Sequence, residues 1–287
     1  MPTPLPDQHG KVFLVTGANS GIGFATAKGL AQHRATVVML CRSKQKGQEA
    51  QKAIIEATGS TDVHLILADL GVQSEVRRAA DEFKARFSRL DVLINNAAII
   101  PTTREITADG IETQLAVNHL SYFLLTHLLL DLLKASAPAR IVNVSSTLHA
   151  RGKINFDDLQ AERSYTGLGW GQYSNTKLMN HLFTFELARR LVGTGVTANC
   201  VHPGVIGTNL SRGLPKFMHR IYLAIMPKPE DGAKTSLYAA TAPELANVTG
   251  QYFANSKPAK PAPASQDVAV AQQLWQVSAH LTNLAES

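Results

Sequence analysis

Tyr173 and Lys177 stand four residues apart, and Ser146 lies upstream of both. On a helix, positions i and i+4 share one face, so a phenol and an ammonium at this spacing serve one site. A free tyrosine titrates near ~10, and a fixed positive charge beside it lowers that value. The pair therefore predicts a proton donor and acceptor that works near neutral pH. A glycine-rich turn, Thr16-Gly17-Ala18-Asn19-Ser20-Gly21-Ile22-Gly23, sits near the chain start. Such a turn implies a phosphate-bearing cofactor. A cofactor plus a tuned proton carrier implies hydride transfer to or from a carbonyl. Taken singly, each feature has a plainer reading: a solvated helix face for the Tyr–Lys pair, a cap for the serines, a tight turn for the glycines. Their joint occurrence favours the chemical one.

The elements that must position these residues alternate in type. Short apolar runs at Val12–Thr16, Thr36–Leu40, Val63–Ala68, Val92–Ile94, Ile141–Val144 and Val196–Cys200 read as strands. Helices are expected over Gly23–Gln32, Lys44–Thr58, Ser74–Phe87, Glu112–Lys134 and Gln172–Leu191. Strands without polar alternation belong to a parallel sheet covered on both faces. With right-handed crossovers this gives an α/β doubly wound parallel sheet, a Rossmann fold, as a single domain over residues 1–287. The Pro- and Ala-rich stretch Ser256–Ser265 reads as a linker or surface strap. Leu274, Trp275, Ser278 and Leu281 recur at helical spacing, so a docking helix is expected over about 268–284.

Gly17, Asn19, Ser20, Gly21, Ile22 and Gly23 form the expected pyrophosphate cradle, where a strand ends and a helix begins. The end of the second strand separates NAD from NADP, because an acid there binds the ribose 2′-hydroxyl. This chain has Cys41 and Arg42 instead, followed by Ser43 and Lys44. No carboxylate repels a 2′-phosphate and Arg42 can clamp one, so NADP(H) is the expected cofactor. Arg42 as an ordinary surface residue is the alternative. Asp69 and Leu70 follow the third strand, where Asp69 either meets the adenine amino group or caps a turn. Asn95, Asn96, Ala97 and Ala98 end the fourth strand and leave room for the adenosine ribose.

Bulk properties bound the partners. The chain of 287 residues is 45% hydrophobic, enough for a sizeable core. Its net charge of +6 is spread without basic runs, so no nucleic-acid partner is expected. Two cysteines make no disulfide framework, and the first ten residues lack an apolar signal core. A cytoplasmic setting without a membrane span is expected. Histidines 119, 127, 149, 181, 202 and 219 show no metal-ligand spacing, and no metal is expected.

The ordered set Thr16–Gly23, Asp69, Asn95–Ala98, Asn118, Ser145-Ser146, Tyr173-x-x-x-Lys177 and Pro203-Gly204 with Thr208 resembles the short-chain dehydrogenase/reductase family. Val117–Thr126, Arg140–Ser146, His202–Val205 and Leu274–Ser278 resemble its retinol-dehydrogenase-like branch. Ala98 replaces a usual glycine, and Thr176 a usual serine before Lys177. The resemblance implies Tyr173 as acid in reduction and base in oxidation. It implies that Lys177 also holds the nicotinamide ribose, that Ser146 polarises the substrate oxygen, and that Asn118 bends its helix and orders a water. Pro203, Gly204, Val205 and Thr208 would flank the nicotinamide.

The segment around Leu214, Phe217, Met218, Ile221, Tyr222 and Ile225 lies where the family places a substrate lid, about 205–230. It is apolar at helical steps, which favours a lipophilic aldehyde, ketone or alcohol. A core helix and a weakly membrane-associated surface are the other readings. Two further alternatives stand beside the oxidoreductase: a non-catalytic dinucleotide-binding scaffold, and a light-driven tetrapyrrole-type reductase, which Asn96-Ala97-Ala98 also resembles. Family members often pair through long helices such as Glu112–Lys134 and Gln172–Leu191, so a homo-oligomer is possible.

Overall fold

Alternate residues of each central strand pack into opposite cores, which is why the apolar runs have no polar face. Phe13 and Val15 enter one hydrophobic cluster, Val12 and Leu14 the other. Val37 and Met39 divide from Val38 and Leu40 in the same way. A computed structural model describes residues 5–204 and 228–284. Its strands are β1 (Val12–Thr16), β2 (Thr36–Cys41), β3 (Val63–Leu67), β4 (Val92–Asn95), β5 (Ala139–Val144), β6 (Val196–His202), β7 (Tyr252–Ala254) and β8 (Lys257–Pro258). They form one sheet in the order β3-β2-β1-β4-β5-β6-β7-β8. β1 to β7 run parallel, and β8 returns antiparallel on β7. This is the doubly wound α/β fold, in one domain.

The helices are α1 (Gly21–Gln32), α2 (Lys44–Thr58), α3 (Gln73–Arg86), α4 (Thr113–Ala135), α5 (Trp170–Arg190), α6 (Pro229–Thr241) and α7 (Val268–Leu281). Local chemistry sets their ends. Ser43 caps α2 by accepting from the Lys46 amide, and Gly59 ends it in the left-handed region at φ 70°. Glu112, expected as the first residue of α4, caps it instead: its carboxylate accepts from the amides of Gln114 and Leu115, each at 2.8 Å. By length and composition α4 could cross a membrane, but 72% of its apolar stretch is buried inside the fold, so it is a core helix.

The structure adds elements that periodicity did not show. Residues 116–120 of α4 form a π turn. α6, β7 and β8 were not foreseen; each is short or rich in Ala, Thr and Ser, so its apolar signal is weak. The stretch 256–265 is more than a linker: it contains β8 and a 3-10 turn, and the Ala262 amide donates to His149 Nε2 at 3.1 Å. The expected lid and the candidates Val205 and Thr208 lie outside the described residues, except that Lys228 caps α6 and Pro229 and Glu230 open it.

Candidate active site

Strand order reverses between β1 and β4, and the loops there diverge to leave a cleft. The cleft measures about 500 Å³ and opens at the carboxyl ends of the strands. The β1–α1 turn lines it with Gly17, Asn19, Ser20, Gly21, Ile22 and Gly23. Arg42 and Ser43 follow β2, Asp69 and Leu70 follow β3, and the run from Asn96 to Pro101 follows β4.

The turn suits a phosphate. Ser20 makes no side-chain capping bond, so the first-turn amides of α1 keep their capacity for an anion. A Cβ on Gly23 would stand 2.4 Å from Gly17 O and 2.5 Å from Asn96 Nδ2, which no larger residue tolerates. Small residues thus hold the cradle open, and the residues present fit a dinucleotide.

Two expectations at the adenosine end change. Arg42 Nη1 lies 3.6 Å from Asp69 Oδ2, so the two candidate cofactor residues face each other. Asp69 also caps its own turn, accepting from the Gly71 amide at 2.9 Å. Asn95 does not line the cleft. It is fully buried, donating to Thr126 Oγ1 at 3.1 Å and Asn143 Oδ1 at 2.9 Å, because strand alternation turns it toward α4. The cleft meets Asn96, whose amide group donates to Thr16 O at 2.8 Å. Lys46, rather than Lys44, joins Arg42 in the lining. Lys46 had no sequence signal of its own, since Arg42 precedes the Ser43 cap and the two share no helix face. Glu105 and Thr113 also line the cleft and had no sequence signal.

Beyond that lining, β5 and α5 bring Ser146, Tyr173 and Lys177 together. Tyr173 is 6% exposed and Lys177 1%. Burial drives the Tyr173 hydroxyl above its ordinary range, and a hydrogen bond with the Ser146 side chain opposes this. Burial pulls Lys177 down to about 8. The expected depression of Tyr173 by Lys177 is therefore not what this geometry yields: burial is the largest influence on each group, raising the phenol and lowering the ammonium. Lys177 Nζ donates to Val144 O at 2.9 Å and lies 5.4 Å and 5.7 Å from the ring centres of Tyr173 and Tyr122. Tyr122 donates to Ala97 O at 2.9 Å, which ties the lysine's surroundings to the cleft. Ser145 is buried and donates to Lys177 O at 3.0 Å, so it fastens α5 to β5 and leaves Ser146 facing Tyr173.

Asn118 sits at the centre of the π turn and is fully buried. Its side chain clasps Ile99 at both ends, accepting from N at 2.8 Å and donating to O at 3.0 Å. It also donates to Thr176 Oγ1 at 3.3 Å, and Asn180 Nδ2 donates to its carbonyl at 2.9 Å. Asn118 thereby locks the cleft wall to α5. Pro203 and Gly204 follow β6 outside the cleft lining, with Gly204 at φ 92°. His149 stacks on His181 with ring centres 3.8 Å apart. Among the described residues no group of three or more His, Cys, Asp or Glu side chains could hold a metal.

A parallel sheet with a glycine cradle at its switch point, and a buried Ser–Tyr–Lys group past the cleft, define a dinucleotide-dependent oxidoreductase fold. The chain belongs to the short-chain dehydrogenase family, which residues 11–218 match. Mouse (Mus musculus) retinol dehydrogenase 14 is 45% identical over 94% of this chain and 85% of its own length. Human (Homo sapiens) retinol dehydrogenase 12 is 44% identical over 96% and 87%. An uncharacterized protein from Mycobacterium paratuberculosis superposes with a TM-score of 0.80 at 34% identity, covering 98% of this chain and 96% of that one. The RhlG/NADP active-site complex of Pseudomonas aeruginosa superposes with a TM-score of 0.69 at 27% identity, covering 88% and 96%.

Proposed function

We propose that the protein interconverts a lipophilic aldehyde or ketone and its alcohol, of retinoid type or a broader carbonyl range, with NADP(H). The observation that carries the reading is the buried Tyr173, with Ser146 acting on its hydroxyl and Lys177 one helical turn away. The retinol dehydrogenases similar to this chain support the lipophilic substrate.

The cofactor, when bound, supplies the hydride in reduction and takes it in oxidation. Gly17, Asn19, Ser20, Gly21, Ile22 and Gly23 would hold its pyrophosphate through backbone amides. Arg42 and Lys46, with the Ser43 hydroxyl, would meet a 2′-phosphate, and the NADP in the RhlG complex accords with that choice. Asp69, Leu70 and Ala97 would border the adenosine, and Pro203 and Gly204 the nicotinamide.

In reduction Tyr173 Oη gives its proton to the carbonyl oxygen; in oxidation it takes the alcohol proton. Ser146 Oγ donates to the same substrate oxygen and stabilises the charge that develops there. Lys177 holds a positive charge behind Tyr173 and would reach the nicotinamide ribose. Asn118 fixes the wall at Ile99 against α5.

A turnover screen with NADPH across retinal, aliphatic aldehydes, steroids and quinones tests the reading. Tyr173→Phe is expected to cut turnover on the order of a thousandfold while NADPH binding holds. Retained turnover would sink the proton-donor role, and binding without any turnover would favour a scaffold.

A further inference from the structure

Immediately before Tyr173 the chain makes a knuckle with three successive left-handed residues. Gly167, Leu168 and Gly169 have φ of 62°, 53° and 86°. The glycines accept this freely, but Leu168 does not, and an L side chain there is strained by about 1–2 kcal/mol. The surroundings hold it in place. Gln114 Nε2 donates to Gly169 O at 2.9 Å and to the Tyr165 hydroxyl at 2.7 Å. Tyr165 in turn donates to Pro101 O at 2.8 Å. Gly169 is required here, since a Cβ would sit 2.2 Å from Pro101 O.

The clamp presents apolar surface to solvent. Leu168 is 68% exposed and Trp170 45%, the two adjoining members of the five exposed large hydrophobics among the described residues. Trp170 faces the chemistry. The Trp170 ring meets the Tyr173 ring edge-on, with centres 5.7 Å apart. Pro101, to which the knuckle is pinned, lines the cleft. A strained, clamped, apolar projection between the cleft wall and the proton donor has no core to serve.

We propose that Leu168 and Trp170 are specificity-determining residues: an apolar rail that grips the tail of the substrate as its oxygen meets Tyr173. The inference rests on the oxidoreductase reading and adds which side chains sense chain length. A substrate whose oxygen reaches Ser146 and Tyr173 must send its tail outward, and the rail flanks that path. A short aldehyde ends before the rail, whereas a ten-carbon chain or a retinoid lies along it.

The test separates tail binding from turnover. Leu168→Asn removes the apolar surface and suits the left-handed conformation, so the knuckle is kept. NADPH affinity, read by fluorescence, is expected to be unchanged in this variant and in Trp170→Ala. Binding of 1-decanol to the NADPH-loaded protein, read by calorimetry, is expected to weaken about tenfold in each variant. The KM for decanal should rise by about the same factor, with propanal KM and kcat staying within about twofold. Unchanged decanol affinity, or equal effects on propanal and decanal, overturns the rail. So does loss of binding to phosphatidylserine vesicles with the aldehyde constants intact, which would make the knuckle a membrane contact. If the parent protein binds decanol yet reduces no carbonyl, the oxidoreductase reading fails, and the decanol affinities alone still decide the rail.

Discussion

The residues of the site act through their immediate neighbours, and Arg42 shows it. Its guanidinium lies 3.6 Å from the Asp69 carboxylate, in a pair exposed enough to be weak. A phosphate offers a stronger, forked partner. Arg42→Ala is expected to weaken NADPH binding at least about tenfold and to leave NADH nearly unmoved. Asp69→Asn should move the ratio the other way by freeing the arginine. Equal losses for both cofactors would remove Arg42 from the 2′-phosphate. Lys177 gives a prediction in pH. Burial lowers it from an ordinary 10.5 to about 8. Between those values the unfolded chain binds more protons, so stability rises as pH climbs from 8 toward 10.5. At pH 7 the buried charge costs on the order of 3 kcal/mol. Lys177→Met should therefore gain stability relative to the parent at pH 7, and the gain should shrink as pH rises above 8. Urea titrations at pH 7 and pH 10 check this; a gain independent of pH contradicts it. Spacing made Tyr173 and Lys177 legible as a pair, because i,i+4 geometry is local. The sign of the Tyr173 shift was not legible, because desolvation depends on what the whole fold packs around the phenol.

Elements carry these residues, and close approach between elements is where single atoms decide. A Cβ at position 23 would strike Gly17 O and Asn96 Nδ2 at 2.4 and 2.5 Å. Gly23→Ala is expected to push α1 off the turn and to abolish detectable NADPH binding, while circular dichroism stays close to that of the parent. Tight binding by that variant would show the cradle to be wider than its geometry. The six strands and five helices expected between β1 and β6 all formed, with ends shifted by a few residues. They were readable because continuous apolar runs and amphipathic faces are strong signals. The π turn at 116–120 was not, since it leaves the apolar pattern of α4 intact while inserting one residue's worth of backbone. The exchange of Asn95 for Asn96 at the cleft has a similar cause: two adjacent asparagines differ only in which face of β4 each occupies.

The whole molecule uses its C-terminal helix to finish the core. α7 sends Trp275 and Ala279 into the cluster that contains Phe123, Phe183, Leu187 and Leu191. The Trp275 ring meets Phe123 at 5.1 Å and His127 at 4.9 Å, and the Arg190 guanidinium lies 4.1 Å from its centre. Ser278 Oγ pairs with His119 Nε2 at 2.9 Å, beside Asn118 in the π turn, so α7 also braces the site. Apolar α4 and α5 were read as surfaces on which two copies could pair. α7 packs across both of them, so part of that apolar richness is spent within one chain. Trp275→Ala is accordingly expected to cost about 3–5 kcal/mol of stability, the range for emptying a buried aromatic site. It should also expose apolar surface of α4 and α5 and increase self-association, seen by light scattering at matched concentration. A loss of stability without association would mean that α7 fills a gap but covers no adhesive face. Association without loss of stability would mean that Trp275 shields the face but does not hold the core. Neither change would remove α7 from both roles and return α4 and α5 to the surface.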